Sequence, residues 1–293
     1  MGTSTPFGGG NNKNPLIPSW LNSPSDSPGT SPPPSGQPSG PPHSPGRRPG
    51  PGSPTQPAGP APAAPQLPRY TPARKAFNKG ARSTDRDERA RSFGRAASSY
   101  VSRSGGARGA SARASLDRAS AGVLAELLLR AGAEGSDIRQ ELRRLNLDSL
   151  AQRSTQEIFE ALIDYVCEPG GDLEQAYVRD AYAEALDLVP ADMVARLERP
   201  DAATIRFVLE HFITNTIMSR LLNAVANGAV TLPESATSAV NLNDQFRGWI
   251  HGRVEDAMEA INGVFREGEV VSQINQIYEA AYSNLERSGD DDE

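Results

Sequence analysis

Proline placement limits what this chain can fold into: 21 of its 25 prolines lie in residues 1–72. Residues 22–68, NSPSDSPGTSPPPSGQPSGPPHSPGRRPGPGSPTQPAGPAPAAPQLP, alternate Pro with Gly, Ser and Ala and hold one large apolar side chain, Leu67. Such a stretch cannot bury enough surface to offset an ordering cost of ~1–2 kcal/mol per backbone residue. Its proline density favours extended polyproline-II, so it reads as a disordered, semi-rigid spacer. Apolar residues make up 37% of the whole and aromatics 6%, below the ~45–50% apolar share of ordinary globular chains. A domain of roughly 170 residues with a disordered extension fits better than one core.

Charge divides the chain in the same way. Residues 1–68 carry three basic and one acidic side chain, residues 69–118 thirteen and four, and residues 119–293 fourteen and 31. A total of −6 thus hides a near-neutral tail, a basic segment of +9 and an acidic region of −17. There is no run of ~18 apolar residues to span a membrane. The opening MGTSTPFGGGNNKN has neither the basic cluster nor the apolar stretch of a secretory signal. A single cysteine, Cys167, allows no internal disulfide. The expected compartment is the cytoplasm.

Beyond residue 118 the apolar pattern has helical period. Ser120–Arg130 and Ser136–Leu145 read as short helices, with Ser136 as the N-cap of the second. Ser154 and Glu157 have capping-box spacing ahead of Ile158, Phe159, Leu162, Ile163 and Val166, a helix ended by Glu168-Pro169-Gly170-Gly171. Asp172 opens the next, and Pro190 and Pro200 stand where helices begin. The longest stripe is Ile205, Val208, Leu209, Phe212, Ile213, Ile217, Leu221, Leu222 and Val225, ended by Asn227-Gly228. After a loop with Pro233, Asn243 or Asp244 is expected to cap a helix with Phe246, Trp249, Ile250, Val254, Met258, Ile261 and Phe265. A last helix carries Val270 to Leu285. No segment alternates with turn chemistry, so no sheet is expected. The predicted fold is all-α: a bundle of about seven or eight helices over 119–288, preceded by the long tail and followed by an acidic end, 289–293.

Catalytic chemistry is not legible. Of three histidines, His43 is in the spacer, and His211 and His251 lie on different helices without close ligand spacing, so no metal site is expected. Cys167 reads as a core residue. Glu174, Asp180, Glu184 and Asp187, or Glu255, Asp256 and Glu259, read as solvated helix faces. Gly105-Gly106-Ala107-Arg108-Gly109 lacks the Lys-Ser/Thr and the preceding strand of a phosphate loop. The expectation is a protein that is not an enzyme and binds no cofactor.

Three other segments offer function. Pro15-Leu16-Ile17-Pro18-Ser19-Trp20-Leu21, within the 1–21 segment, clusters Leu16, Ile17, Trp20 and Leu21 ahead of the spacer. It reads as a linear motif for a partner's groove, the alternative being that it folds onto its own domain. Residues 69–118 read as a basic linker with one or two marginal helices, one of them near Thr84–Val101. Arg82, Arg86, Arg89, Arg91 and Arg95, interleaved with Tyr70, Phe77, Phe93 and Tyr100, could neutralise phosphates and stack on single-stranded bases. The competing reading is a linker attracted to the acidic region. Lastly, removal of Met1 would expose Gly2, an unhindered α-amine with a reference pKa of ~7.7–8.0. Pro6 stands where a myristoylation signal needs Ser or Thr.

Met1-Gly2-Thr3-Ser4, the Pro15–Leu21 patch, the spacer, Leu142-Arg143-Arg144-Leu145-Asn146-Leu147, Ser154, Glu157-Ile158-Phe159, Asp164 and Cys167-Glu168-Pro169-Gly170-Gly171 follow one another in an order that resembles the QatB family of the bacterial Qat anti-phage defence system. The resemblance implies an operon that also encodes an ATPase (QatA), a QueC-like protein (QatC) and a TatD-like nuclease (QatD). It further implies that the QueC-like protein activates a 7-deazaguanine carboxylate with ATP and passes the acyl group to Gly2. Thr3 and Ser4 would then be recognition context and Leu16–Leu21 a docking element.

Overall fold

The computed structural model describes residues 69–226, 235–260 and 265–289, all within one unit, Gln66–Glu293. The described residues form helices and no strand. At the centre runs α10 (Ala202–Ala226), whose stripe from Ile205 through Val208, Leu209, Phe212, Ile213, Ile217 and Leu221 to Val225 is buried as its periodicity predicts. Around it pack α8 (Leu173–Asp187), α11 (Ala236–Ala260), α4 (Ser115–Ala131) and α1 (Thr71–Arg82). The last helix, α12 (Val270–Arg287), lies against α11, α4, α2 (Arg86–Ser104) and α3 (Gly106–Arg113). Shorter pieces complete the set: α5 (Ile138–Arg144), α6 (Thr155–Ala161), α7 (Ile163–Val166) and α9 (Ala191–Val194), with 3-10 turns at Asp148–Leu150 and Ala195–Glu198. Among the described residues from α4 onward, apart from the single-turn α7 and α9, there are seven helices, in line with the seven or eight expected.

Side-chain caps set half of the helix starts among the described residues. Ser154 and Glu157 close a reciprocal capping box on α6, and Asp172 and Gln175 do the same on α8. Asp201 Oδ1 accepts the Thr204 N–H at 2.8 Å as α10 begins. Two predicted caps are displaced. Asp137, not Ser136, caps α5, its carboxylate accepting the Gln140 N–H at 2.8 Å. α11 begins at Ala236, where Ser235 Oγ accepts the Ser238 N–H at 3.0 Å, so Asn243 and Asp244 lie inside the helix. The run from Ile158 to Val166 also breaks into α6 and α7. Tyr182 donates its hydroxyl to the Phe159 carbonyl at 2.7 Å, the acceptor that a continuous helix would offer to the Ile163 N–H.

The largest correction concerns residues 69–118. Expected as a basic linker with one or two marginal helices, one of them near Thr84–Val101, they form α1, α2 and α3 and contribute to the core itself. Phe77 is 3% exposed, Phe93 1% and Tyr100 4%. Phe93 lies 4.8 Å from Phe246 and 5.9 Å from Phe77 between ring centroids. The signal was a helical stripe of small residues, Ala73, Ala96, Ala97, Val101 and Ser104, which lets backbones approach closely. Where α1 crosses α2, a Cβ on Gly80 would stand 3.0 Å from Ser92 Cβ. Gly105, at φ 100°, supplies the left-handed turn from α2 to α3. Arg74 Nε donates to the Val225 carbonyl at 2.9 Å, tying α1 to the last turn of α10.

Candidate functional site

Arg82, Arg86, Arg91 and Arg95 are exposed on α1 and α2. Arg89 is half-buried and donates to the Ser83 carbonyl and the Gln245 side chain. The aromatics that were to stack on bases do not share this face: Phe77, Phe93 and Tyr100 are in the core, so base stacking beside the arginines is ruled out for them. Part of the basic segment instead engages the acidic region. Arg108 Nε meets Glu279 Oε1 at 2.9 Å, and Arg118 donates to Asn275 Oδ1 at 2.7 Å. The Gly105-Gly106 turn exposes the first amides of α3, and Glu286 fills that place by accepting the Ala107 N–H at 3.1 Å.

A polar knot lies under α4 and α10. Asp117, 2% exposed, receives two hydrogen bonds from the Arg220 guanidinium, one of them 2.9 Å, and Arg220 also reaches Glu174 at 3.3 Å. Burial pushes the Asp117 carboxyl up while Arg220 opposes it. Burial also works against the Arg220 charge, but the bonds to Asp117 outweigh it and hold the guanidinium charged. Tyr100, pushed up to about 12 by burial, and the fully buried Tyr278 and Tyr282 surround the pair. The hydroxyls of Tyr278 and Thr216 lie 2.8 Å apart. The chemistry here is structural: the reactive groups are neutral phenols or charges neutralised in place.

His211 and His251, separate in sequence, are brought together with ring centroids 4.8 Å apart. His211 Nδ1 and His251 Nε2 are buried without a hydrogen-bond partner among the described residues. Burial, then His251 and Arg247, lower the His211 pKa to about 4. Among the described residues no third ligand joins them in a metal-holding group. Cys167 is buried, its thiol directed at the Val178 carbonyl at 3.8 Å and pushed up to about 11 by burial.

The concave feature of most interest was not foreseen. A groove of about 360 Å³ runs between α6–α7 and α8–α9, with Phe159, Tyr182, Val189 and Leu197 as its buried floor and Ile163, Leu186 and Val194 as half-buried walls. Its polar lining is Gln156, Glu160 and Asp187. Glu160 accepts only the Gln156 amide, at 3.0 Å, and neither carboxylate has an ion-pair partner among the described residues. In sequence Phe159 and Ile163 read as part of an apolar helical stripe and Asp187 as part of a solvated face.

The family model described as "Qat anti-phage system associated protein QatB" matches residues 105–285. The chain belongs to the QatB family. It is therefore a subunit of an anti-phage defence system. The QatB match begins at the Gly105 turn and takes in α3 to α12, the Asp117–Arg220 pair and the groove. The motifs from Leu142 to Gly171 that suggested the family lie inside it. No curated protein and no solved structure matches the chain. Gly2, Thr3, Ser4, Leu16, Ile17, Trp20, Leu21, the 22–68 spacer, His43, Asn227-Gly228, Pro233, Ile261 and the Asp290–Glu293 end lie outside the described residues. No helix among the described residues is long and apolar enough to cross a membrane.

Proposed function

We propose that this QatB-family chain is a non-enzymatic adaptor and modification substrate, acting in the cytoplasm within the defence complex. Family membership over 105–285 is the observation that carries the reading. In support, Asp117, Asp172, Ser154, Glu286 and Arg220 are engaged in pairs and caps that hold the helical domain together. The helical domain anchors the chain, and the segment ahead of it presents Gly2. There the neutral α-amine attacks the activated acyl carbon of a 7-deazaguanine carboxylate on the QueC-like partner, QatC. The activating group leaves, the amine loses a proton and an amide results. Thr3 and Ser4 give the tip its identity, and Leu16, Ile17, Trp20 and Leu21 dock it. The ATPase QatA and the nuclease QatD are further partners of the assembly.

Intact-mass spectrometry of the chain purified from cells expressing the whole operon tests this. The expected mass lacks Met1 and carries one nucleobase-sized addition that maps to Gly2. An unmodified Gly2 in complexes that still protect against phage overturns the acceptor role.

A further inference from the structure

We infer that the groove between α6–α7 and α8–α9 is the seat of a partner subunit's amphipathic helix, one with apolar anchor residues and a flanking Lys or Arg. The inference rests on the reading of the chain as an adaptor and names the face through which the adaptor grips.

The floor and walls are aliphatic or aromatic, which suits side chains leaving water for about 25 cal/mol per Å² of apolar area. Little here would hold a small polar ligand. The one phenol on the floor, Tyr182, already donates to Phe159, and no Lys, Arg or His lines the groove. A volume of about 360 Å³ is at the lower end for ligand pockets and suits a few anchoring side chains of a helix laid in a groove.

Charge selects among such helices. Both charged lining residues, Glu160 and Asp187, are acidic, exposed and unmatched by a cation among the described residues. On the same helices Asp164 is matched by Arg179 at 2.7 Å, Glu174 by Arg220 at 3.3 Å and Glu184 by Arg247 at 2.9 Å, whereas Glu160 and Asp187 share with Asp180 and Asp192 the lack of an ion pair among the described residues and differ from those two in lining the groove. An apolar segment flanked by acids would be repelled at this lip, whereas one with a basic residue a turn from its anchor meets an open carboxylate. The folded body, residues 69–293, holds 27 basic and 35 acidic side chains, and this net −8 extends the preference to long-range steering.

The probes are the QueC-like, ATPase and TatD-like proteins of the same operon, each purified singly and titrated against the full chain. Glu160→Lys with Asp187→Lys reverses the lip, and Ala183→Arg, at an exposed lining position of α8, obstructs the groove without touching the core. Circular dichroism and melting confirm that each variant is folded. One operon protein is expected to bind the wild-type chain with an affinity that falls with salt. The double reversal should weaken it by about tenfold or more and flatten the salt dependence, and Ala183→Arg should abolish it. Reversing a basic residue on the bound helix should restore affinity to the double variant. Binding indifferent to both variants overturns the inference. So do failure of every operon protein to bind, variants that abolish only self-association of the chain, and variants that matter only while residues 1–21 are present. Gly2 mass is read separately, on the wild-type and variant chains purified from cells expressing the whole operon. Groove-dependent binding with an unmodified Gly2 sinks the acceptor reading alone, and a modified Gly2 with groove-independent binding sinks the groove alone.

Discussion

Phe93→Ala asks whether residues 69–118 are part of the folded body. The Phe93 ring is 1% exposed and lies 4.8, 5.9 and 6.5 Å from the rings of Phe246, Phe77 and Trp249. Truncating a buried Phe removes its transfer free energy and leaves a cavity that stiff aromatic neighbours cannot close, for about 3–5 kcal/mol. Stabilities of single domains are ~5–15 kcal/mol, so the loss is a large share of the total. With a urea slope near ~2 kcal/mol/M, a loss of about 4 kcal/mol lowers the midpoint by about 2 M. The assay is urea unfolding followed by far-ultraviolet circular dichroism and, in a Trp20→Phe background, by Trp249 fluorescence. Both probes should shift together, because helix loss and the loss of packing around Trp249 are one transition. A cost under about 1 kcal/mol, the range of a surface substitution, would refute the assignment of α1 and α2 to the core. So would an early circular dichroism phase that leaves Trp249 unmoved.

Asp117→Asn keeps the shape but leaves the Arg220 guanidinium buried beside a neutral amide, and should cost about 3–5 kcal/mol in urea unfolding. The double variant Asp117→Leu with Arg220→Met should recover most of that loss, and a single-variant cost below about 1 kcal/mol would contradict the arrangement. His211 gives a pH signature. Its folded pKa, about 4, is below the unfolded value near 6.5, so the unfolded chain binds the proton first. The stability tied to its neutral form is present above pH ~6.5 and is lost as pH falls towards about 4. Full conversion would give roughly 3 kcal/mol, and discounting for solvent around a half-buried ring leaves about 1–2 kcal/mol. Carboxylates titrate in the same window, so the measurement is wild type minus His211→Asn, a difference expected to shrink from pH 7 to pH 4. A difference that stays constant would contradict it.

Where local chemistry and periodicity agreed, the fold was readable from the sequence. The α10 stripe is apolar on a strict helical period, and the boxes at Ser154 and Asp172 are formed within three residues. Failures came where a competitor stood nearby or a distant group intervened. Ser136 and Asp137 are adjacent caps, and the carboxylate made the bond. Ser235 caps α11 about three turns ahead of Phe246, the first of the apolar residues that drew attention to Asn243 and Asp244. The break between Ile158 and Val166 depends on Tyr182, 23 residues from Phe159. In 69–118 the arginines masked an alanine and phenylalanine stripe whose partners, Phe246 and Trp249, lie on α11. The His211–His251 meeting and the groove are tertiary consequences of helix crossing, for which no short motif exists.

The bond from Arg74 to the Val225 carbonyl has a mechanical meaning. A partner that engages residues ahead of Arg69 pulls on α1, and α1 is bolted to the last turn of the central helix and laid along α2. Tension on α1 would therefore reach the central helix directly, through the Arg74–Val225 bond and the packing of α1 on α10. On the adaptor reading proposed above, the helical domain then serves as the mount and the leading segment as the part that works.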